Sequence, residues 1–289
     1  MKPFFALLRP HQWVKNTFIF LPLFFGSRFG DLVILRLTAL AFMGFCACAS
    51  AVYIFNDSMD IEEDRGHPQN RERPLASGEV GRNGAYLLMS VLLVAGVGTF
   101  FFLGRDSLYL LCFYILLNVL YSIRLKHVPI LDVVVISFGF VIRIFIGSIV
   151  SGVPLSMWIV IMTFLLALFL ALAKRRNDVL ISLESGGRTR KSIDGYNTEF
   201  LNSSMMIMAS VVIVSYILYT VSPDVQMKMN TDKLYLTAFF VVLGILRYLQ
   251  LTFVENNSGN PSKILLEDRF LQLVLIGWLA LFSWILYLK

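Results

Sequence analysis

Residues 33–55 read VILRLTALAFMGFCACASAVYIF, and residues 56–64 continue as NDSMDIEED. The first part is an apolar run of the roughly 20 residues that a membrane-spanning helix needs. The second part is polar and acidic. Oxygen-bearing side chains therefore stand where a predicted helix leaves the membrane, at Asn56, Asp57, Asp60 and Asp64. This junction decides both the fold class and the chemistry that we expect.

The spacing of these acids predicts a metal site. In a helix, positions 57, 60 and 64 share one face because they are spaced i, i+3 and i+7. Carboxylates that close repel one another unless a cation neutralises them. Hard oxygen ligands without His or Cys favour Mg²⁺, which completes its coordination with water and substrate phosphates. We therefore predict Mg²⁺ ligands at Asn56, Asp57, Asp60 and Asp64, the three aspartates being catalytic. The alternative is a solvated charged loop.

The whole chain has the composition of a polytopic membrane protein. Its 289 residues are 57% hydrophobic and 15% charged, with a mean hydropathy of +0.72. A soluble domain of this length would need more charge to cover its surface. The three cysteines lie in apolar stretches without zinc-ligand spacing, so no zinc site or disulfide is implied. We expect no cleavable signal peptide at the amino terminus.

Hydropathy predicts an all-α protein with nine transmembrane helices in one domain spanning residues 1–289. The first span is the weakest, because Pro22 interrupts it. The spans are expected at 14–30, 33–55, 84–103, 107–123, 129–151, 156–174, 203–222, 233–253 and 270–288.

Basic residues predict the orientation in the membrane. Most of the 25 Lys and Arg residues fall at the amino terminus and in four polar segments, 56–83, 124–128, 175–202 and 254–269. The positive-inside rule places these segments in the cytoplasm. We therefore expect a protein of the cytoplasmic membrane with a cytoplasmic amino terminus and a cytoplasmic acid cluster. Topology accounts for most of the net charge of +6, so a nucleic-acid partner is not indicated.

Several cations are candidate phosphate ligands. Arg71 and Arg73 follow the acids, and a guanidinium group matches phosphate oxygens, although both residues also satisfy the positive-inside rule. The basic triplet at residues 174–176, which precedes Asp178, is also a candidate for phosphate binding, with a stop-transfer anchor as the alternative. Arg143 lies midway through a span, where a charge costs about 2.5–3.5 kcal/mol, so it should face a polar cavity. A local pair with Asp132 is excluded, because eleven helical residues separate them by about 16 Å.

The acidic motif resembles a known family. Asn56-Asp57-x-x-Asp60-x-x-x-Asp64, followed by His67-Pro68 and by Arg73-Pro74-Leu75-Ala76-Ser77-Gly78, is similar to the first aspartate-rich motif of the UbiA-type intramembrane prenyltransferase superfamily. The resemblance implies nine helices around a central cavity, with Mg²⁺ held against a substrate diphosphate. We expect a structural role for His67, beside Pro68, in place of acid–base catalysis.

The second long polar segment separates the branches of this superfamily. Aromatic prenyltransferases carry Asp-x-x-x-Asp after the sixth span, whereas here Asp178 is followed by Ser182. This pattern resembles the decaprenyl-phosphate phosphoribosyltransferase branch. Further similarities are Leu8-Arg9-Pro10-x-Gln12-Trp13-Val14-Lys15-Asn16, Tyr121-Ser122-x-x-Leu125-Lys126, Asp132, Arg143, Gly147, Arg247-Tyr248 and Asp268-Arg269. Asn70 departs from the branch, which tends to have Lys there, so one phosphate contact is missing or moved.

The resemblance implies Mg²⁺-dependent transfer of 5-phosphoribose from phosphoribosyl diphosphate to a polyprenyl phosphate. The alternative is prenyl transfer to a quinone or phenolic acceptor. A CDP-alcohol phosphotransferase is disfavoured because its signature is absent, and a transporter because no inverted repeat is evident. A homo-oligomer is compatible with the sequence. The substrate-binding residues implied are Lys15, Asn16, Arg71, Arg73, Tyr121, Lys126, Arg143, Lys174, Arg175, Arg176 and Asp178.

Overall fold

The computed structural model describes residues 2–66, 70–185, 191–256 and 261–287, and every regular element within them is a helix. The predicted all-α class is therefore confirmed. The α-helices are α1 (Lys2–Leu7), α2 (Leu21–Phe25), α3 (Leu32–Met59), α4 (Ile61–Gly66), α5 (Arg82–Leu103), α6 (Arg105–Ile123), α7 (Leu131–Ser151), α8 (Met157–Ser185), α9 (Thr198–Val221), α10 (Pro223–Met229), α11 (Ala238–Phe253), α12 (Pro261–Glu267) and α13 (Arg269–Tyr287). Segments of 3₁₀ helix cover Pro10–Phe20, Asn70–Glu72, Leu125–His127, Lys191–Gly195 and Lys233–Thr237.

Eight helical segments of the described chain are long and apolar enough to cross a membrane, so the protein is a multi-pass membrane protein. They correspond to the second through ninth predicted spans. The first predicted span, 14–30, is not a continuous α-helix. It consists of the 3₁₀ helix Pro10–Phe20 followed directly by the short helix α2. Pro10 and Pro22 stand near the starts of these two pieces, and a proline there removes backbone hydrogen bonds that a longer helix would need.

The chain divides into two compact units. The first contains α1 to α7, with α3 packed against α5, α6, α7 and the 3₁₀ helix Pro10–Phe20. Its core includes Ile19, Phe45, Phe100 and Ile146, all fully buried. Asp31 caps the start of α3 by accepting hydrogen bonds from the backbone N–H groups of residues 33 and 34.

The second unit contains α8 to α13. Helix α8 packs against α9, and α11 packs against both α9 and α13. Leu234, Met205 and Phe282 are fully buried here. The carboxyl half of α9 is held by a side-chain network in which Trp278 donates to the Tyr216 hydroxyl at 2.7 Å.

The predicted loop 175–202 is wrong in its first part, because α8 continues to Ser185. No glycine or proline interrupts residues 157–185, and Lys, Arg and Leu all favour helix. Arg175 also pairs with Asp178, three residues further along the helix, at 2.6 Å. Likewise α3 runs on to Met59 and α4 follows. Charged residues of both predicted loops therefore stand on helices.

Candidate active site

Three buried carboxylates lie at the end of α3 and in α4. Asp60 ends α3, but the backbone hydrogen bonds continue through it, from Asp60 N–H to Asn56 O at 3.1 Å and from Asp64 N–H to Asp60 O at 2.7 Å. The helical spacing is thus preserved. Asp57, Asp60 and Asp64 are 2%, 4% and 4% exposed. We call these three residues the acid cluster.

Two arginines of the first unit neutralise two of these carboxylates. Arg9 donates from Nη2 to Asp57 Oδ2 at 2.7 Å. Arg73 donates from Nη1 to Asp64 Oδ2 at 2.6 Å and to Asp57 Oδ1 at 3.2 Å. One guanidinium group therefore joins the first and the last acid of the motif, although they are seven residues apart.

The third carboxylate is bound by Lys126, which lies in the 3₁₀ segment Leu125–His127 after α6. Lys126 donates to Asp60 Oδ1. Asn56 donates from Nδ2 to Asp60 Oδ2 at 3.0 Å, and its own Oδ1 accepts from the Ser122 hydroxyl at 3.0 Å. The segment Tyr121–Lys126, which the resemblance singled out, is therefore brought to the acid cluster. Three positive charges now face three negative charges.

The acid cluster has the donor atoms of a Mg²⁺ site but not yet its arrangement. Within the described ranges, no group of three or more His, Cys, Asp and Glu side chains is arranged to hold a metal ion. Arg9, Arg73 and Lys126 occupy carboxylate oxygens that a metal ion would use. Carboxylate and amide oxygens are nevertheless the hard ligands that Mg²⁺ prefers. A metal ion bound at these oxygens would have to displace these cations.

The environment of Asp64 changes the proton affinity of its carboxyl group. Burial raises the pKa of Asp64 above its ordinary value. The positive charge and hydrogen bond of Arg73 oppose that rise, and the charges of Asp57 and Asp60 add to it. The Asp64 carboxyl consequently takes up a proton at a higher pH than an exposed aspartate does.

Arg143 lies in the interior of the first unit, 4% exposed. Its Nε donates to Asn16 Oδ1 at 2.8 Å, its Nη1 to Gly139 O at 2.6 Å and its Nη2 to the Tyr114 hydroxyl at 3.3 Å. The guanidinium carbon also lies 4.8 to 5.4 Å from the ring centroids of Phe45, Tyr114 and Phe140. Aromatic faces and neutral oxygens, rather than an acid, therefore surround this charge.

The 3₁₀ helix that carries Lys15 and Asn16 is fixed between α3 and α7. Asn16 donates from Nδ2 to Cys46 Sγ at 3.0 Å, and Trp13 donates to the Ser50 hydroxyl at 3.1 Å. On the other side, a Cβ added at Gly147 would lie 2.0 Å from Ile19 O. Only glycine allows so close an approach of α7.

The predicted cations of α8 belong to the second unit. Arg175 is 1% exposed and pairs with Asp178. Arg176 donates to Asn202 Oδ1 at 2.7 Å and to Thr252 O at 2.8 Å, so it joins α8 to α9 and α11. Lys174 is exposed. Within this unit Arg176 has a structural role, whereas Lys174 presents its charge at the surface.

The remaining predicted residues differ in their burial and contacts. Arg71 is exposed and Tyr121 is half-buried. Arg247 and Asp268, both part of the resemblance, form an ion pair at 2.7 Å. His67 and Pro68 lie outside the described residues.

Sequence reasoning did not select Arg9 as a site residue, although its ion pair with Asp57 is central. The available signal was the Arg9-Pro10 pair at the start of the motif that ends in Lys15-Asn16. Arg9 has φ 50° and ψ 57°, a left-handed backbone that turns the chain from α1 into the 3₁₀ helix. Ser122 and Tyr114 were also missed, since nothing in their spacing connects them to Asn56 or Arg143.

Comparison with known proteins finds similarity over most of the chain. Residues 18–274 match the model of the UbiA prenyltransferase family. The decaprenyl-phosphate phosphoribosyltransferase of Mycolicibacterium smegmatis is 31% identical over 283 residues, which cover 94% of this chain and 89% of that protein. The protein of the same name from Corynebacterium glutamicum is 33% identical over 278 residues, which cover 94% of this chain and 82% of that protein.

The fold has counterparts among solved structures. A UbiA homolog from Archaeoglobus fulgidus bound to GPP and Mg²⁺ superposes with a TM-score of 0.71 at 18% identity, covering 98% of this chain and 99% of that chain. At this level of identity the likeness concerns the fold alone.

Proposed function

The chain belongs to the UbiA prenyltransferase family, and from this we propose that it transfers 5-phosphoribose from phosphoribosyl diphosphate to a polyprenyl phosphate and releases diphosphate. The choice of this reaction within the family is supported by the relatives named above, which align over 94% of the chain. The second acidic pair expected of an aromatic prenyltransferase is absent, since Ser182 stands four residues after Asp178.

The observation that carries the proposal is the acid cluster with its three cations. Asn56, Asp57, Asp60 and Asp64 would hold Mg²⁺, and the bound ion would neutralise charge on the departing diphosphate. Arg9, Arg73 and Lys126 neutralise the same carboxylates. These three cations would also bind oxygens of the diphosphate, for which guanidinium and ammonium groups are well suited.

The proposed reaction needs little acid–base help from the protein. The acceptor is a phosphate anion and attacks the anomeric carbon of the ribose directly, so its oxygen does not have to lose a proton first. The bond from that carbon to the diphosphate breaks, and the diphosphate leaves as an anion. Positive charge developing on the ribose ring would be stabilised by the remaining field of the acid cluster. The absence of an evident general base among the predicted residues fits this chemistry.

The remaining cations would bind the other phosphates. Lys174, on the surface of α8, is assigned to the phosphosugar, and its replacement by alanine should raise the apparent KM for phosphoribosyl diphosphate more than that for the lipid. Arg175 would contribute through its pair with Asp178, and Arg71 and Tyr121 would border the substrates. Arg176 would act indirectly, by fixing α8 against its neighbours.

The proposed topology has nine crossings with the amino terminus in the cytoplasm. The ninth crossing would be made by the 3₁₀ helix Pro10–Phe20 together with α2. Their 11 and 5 residues reach about 30 Å at about 2.0 and 1.5 Å per residue, which matches a hydrocarbon core. This topology places the acid cluster at the cytoplasmic face, where phosphoribosyl diphosphate would enter.

The direct test is transfer of label between purified components. Purified protein with Mg²⁺ should move label from phosphoribosyl diphosphate into the lipid fraction when a short polyprenyl phosphate is present. Asp57→Asn and Asp64→Asn should abolish this transfer, while size-exclusion behaviour and thermal unfolding show that the variants fold. A parallel reaction with a prenyl diphosphate and 4-hydroxybenzoate tests the alternative. Product only in that second reaction would refute the proposal.

A further inference from the structure

Two cations in the interior of the first unit have no acidic partner. Across residues 2–66, 70–185, 191–256 and 261–287, neither Lys15 nor Arg143 forms an ion pair, although most other interior cations of this unit do. Arg143 is satisfied by neutral oxygens and ring faces. An uncompensated charge at membrane depth is costly, so a pair of them requires a reason.

Arg143 is a fixed charge. Three of its N–H groups are bonded, to Asn16, Gly139 and Tyr114. Asn16 is itself held by its contact with Cys46. The guanidinium group therefore cannot swing far, and its positive charge stays in place whether or not a ligand is present. Asn16 acts here as a positioning residue.

Lys15 is the member of the pair whose hydrogen-bond donors are not used by any described residue. It is half-buried and makes no hydrogen bond to any described residue. The charged or titratable groups that influence it are Tyr53, Arg143 and Arg9, of which two are cations. Its ammonium group thus has three unused donors beside a second fixed positive charge.

This pair adjoins the acid cluster without sharing its ion pairs, since Arg9, which pairs with Asp57, reaches the Tyr53 ring that also neighbours Lys15. Lys15 follows Arg9 by six residues, and a 3₁₀ helix rises about 2.0 Å per residue, so their Cα atoms lie about 12 Å apart along the segment. Arg9 is engaged with Asp57 at one end. Lys15 and Arg143 form a second positive site deeper along the same 3₁₀ helix, with the Tyr53 and Tyr114 phenols nearby.

We propose that Lys15, with Arg143 behind it, binds a phosphate monoester at a subsite distinct from the diphosphate site of the acid cluster. A dianionic phosphate supplies the negative charge that the two cations lack and accepts the free donors of Lys15. The identity of the ligand rests on the proposed function, since both of its substrates carry such a group: the acceptor lipid and the 5-position of the phosphosugar. The depth of the site favours the lipid phosphate.

Binding without turnover tests this subsite. We would measure the thermal unfolding of detergent-solubilised protein, without Mg²⁺ or phosphoribosyl diphosphate, in the presence of farnesyl phosphate or farnesol. Ribose 5-phosphate and ribose form the second arm. Lys15→Met removes the charge but keeps an apolar chain of similar length, and Lys15→Arg retains the charge. Lys233→Met, at an exposed lysine of the second unit, is the matched control.

Wild-type protein should unfold at a temperature several degrees higher with the phosphate than with the matching alcohol or sugar. Lys15→Met should lose most of this difference, while Lys15→Arg and Lys233→Met keep it. Without ligand, Lys15→Met should be at least as stable as wild type, because it removes an uncompensated charge. If only one of the two phosphates, farnesyl phosphate or ribose 5-phosphate, gives a shift that depends on Lys15, that compound carries the phosphate group that this subsite binds.

A phosphate-dependent shift that persists in Lys15→Met would overturn the subsite, and so would the absence of any such shift in wild type. These outcomes are independent of catalysis. If label transfer failed while the Lys15-dependent shift remained, the proposed function would fall and the phosphate subsite would stand.

Discussion

Replacing Arg73 with glutamine should make the protein bind a divalent metal more tightly when no substrate is present. Arg73 joins Asp57 and Asp64 through hydrogen bonds of 3.2 and 2.6 Å, so a metal ion has to break these contacts before it can use the same oxygens. Glutamine lacks the charge. The variant therefore presents carboxylates that are more negative and more accessible to the ion.

The size of the effect follows from the contacts that are lost. A hydrogen bond to a charged group contributes roughly 1.5–3 kcal/mol. Arg73 is 22% exposed, so solvent weakens its interactions, and we take the lower end, about 1.5 kcal/mol. Since about 1.4 kcal/mol corresponds to a factor of ten in Kd, Mn²⁺ affinity should rise about tenfold. The KM for phosphoribosyl diphosphate should rise as well, because the displaced guanidinium would have bound its diphosphate.

Mn²⁺ titration followed by the paramagnetic resonance of the free ion provides the assay, at pH 8 for both proteins so that competition from protons is kept low. Arg71→Gln is the matched control, because Arg71 is exposed and two residues away. It removes the same charge from the same segment without removing a contact to the acid cluster. Mn²⁺ affinity that is unchanged or weaker in Arg73→Gln would refute the idea that cations and metal compete for these oxygens.

Three other outcomes are expected. Mn²⁺ affinity should fall on acidification, because a proton on the Asp64 carboxyl competes with the metal. Since Arg73 lowers the pKa of Asp64, the decline should begin at a higher pH in Arg73→Gln than in wild type. Coincident titration curves for the two proteins would contradict this. Gly147→Ala should reduce kcat/KM about tenfold or more, because it displaces the 3₁₀ helix that carries Lys15. The control Gly244→Ala should behave as wild type, since an added Cβ there meets only Val274, at 3.5 Å. Arg176→Met should destabilise the protein by about 2 kcal/mol because the hydrogen bonds of Arg176 are lost, which thermal unfolding would show. It should leave Mn²⁺ affinity unchanged, and a changed affinity would argue against a purely structural role for Arg176.

The sequence was sufficient to predict the fold class and eight of the spans. Whether a segment can span a membrane depends on the length of its apolar run, which is a local property of the sequence. The eight continuous spans were therefore predicted correctly. The first was not, because the segment with prolines at positions 10 and 22 forms two shorter helical pieces. Length alone cannot distinguish such pieces from one helix.

The ends of helices were less predictable. Residues 175–185 are polar enough to suggest a loop, yet α8 continues through them. Hydropathy reports where the membrane ends, and a helix can extend well beyond that point. The helical path through Asp60 was anticipated because the acids themselves have helical spacing.

Partners distant in sequence could not be predicted from spacing at all. Arg9 and Asp57 are 48 residues apart, and Ser122 and Asn56 are 66 apart. Arg143 was expected to face a polar cavity, and the structure buries it inside the first unit. That its partners would be aromatic rings and an asparagine from the 3₁₀ helix depends on tertiary packing, which a single sequence does not reveal.

The left-handed backbone of Arg9 has an evolutionary consequence. A residue other than glycine in this conformation costs about 1–2 kcal/mol, which a glycine here would recover. The same exchange would remove the positive group beside Asp57. Because loss of a partner from a buried carboxylate costs about 3 kcal/mol or more, the exchange would lower stability despite the relieved backbone. Descendants adapted to hot environments should therefore keep arginine at position 9 and gain their robustness elsewhere in the chain.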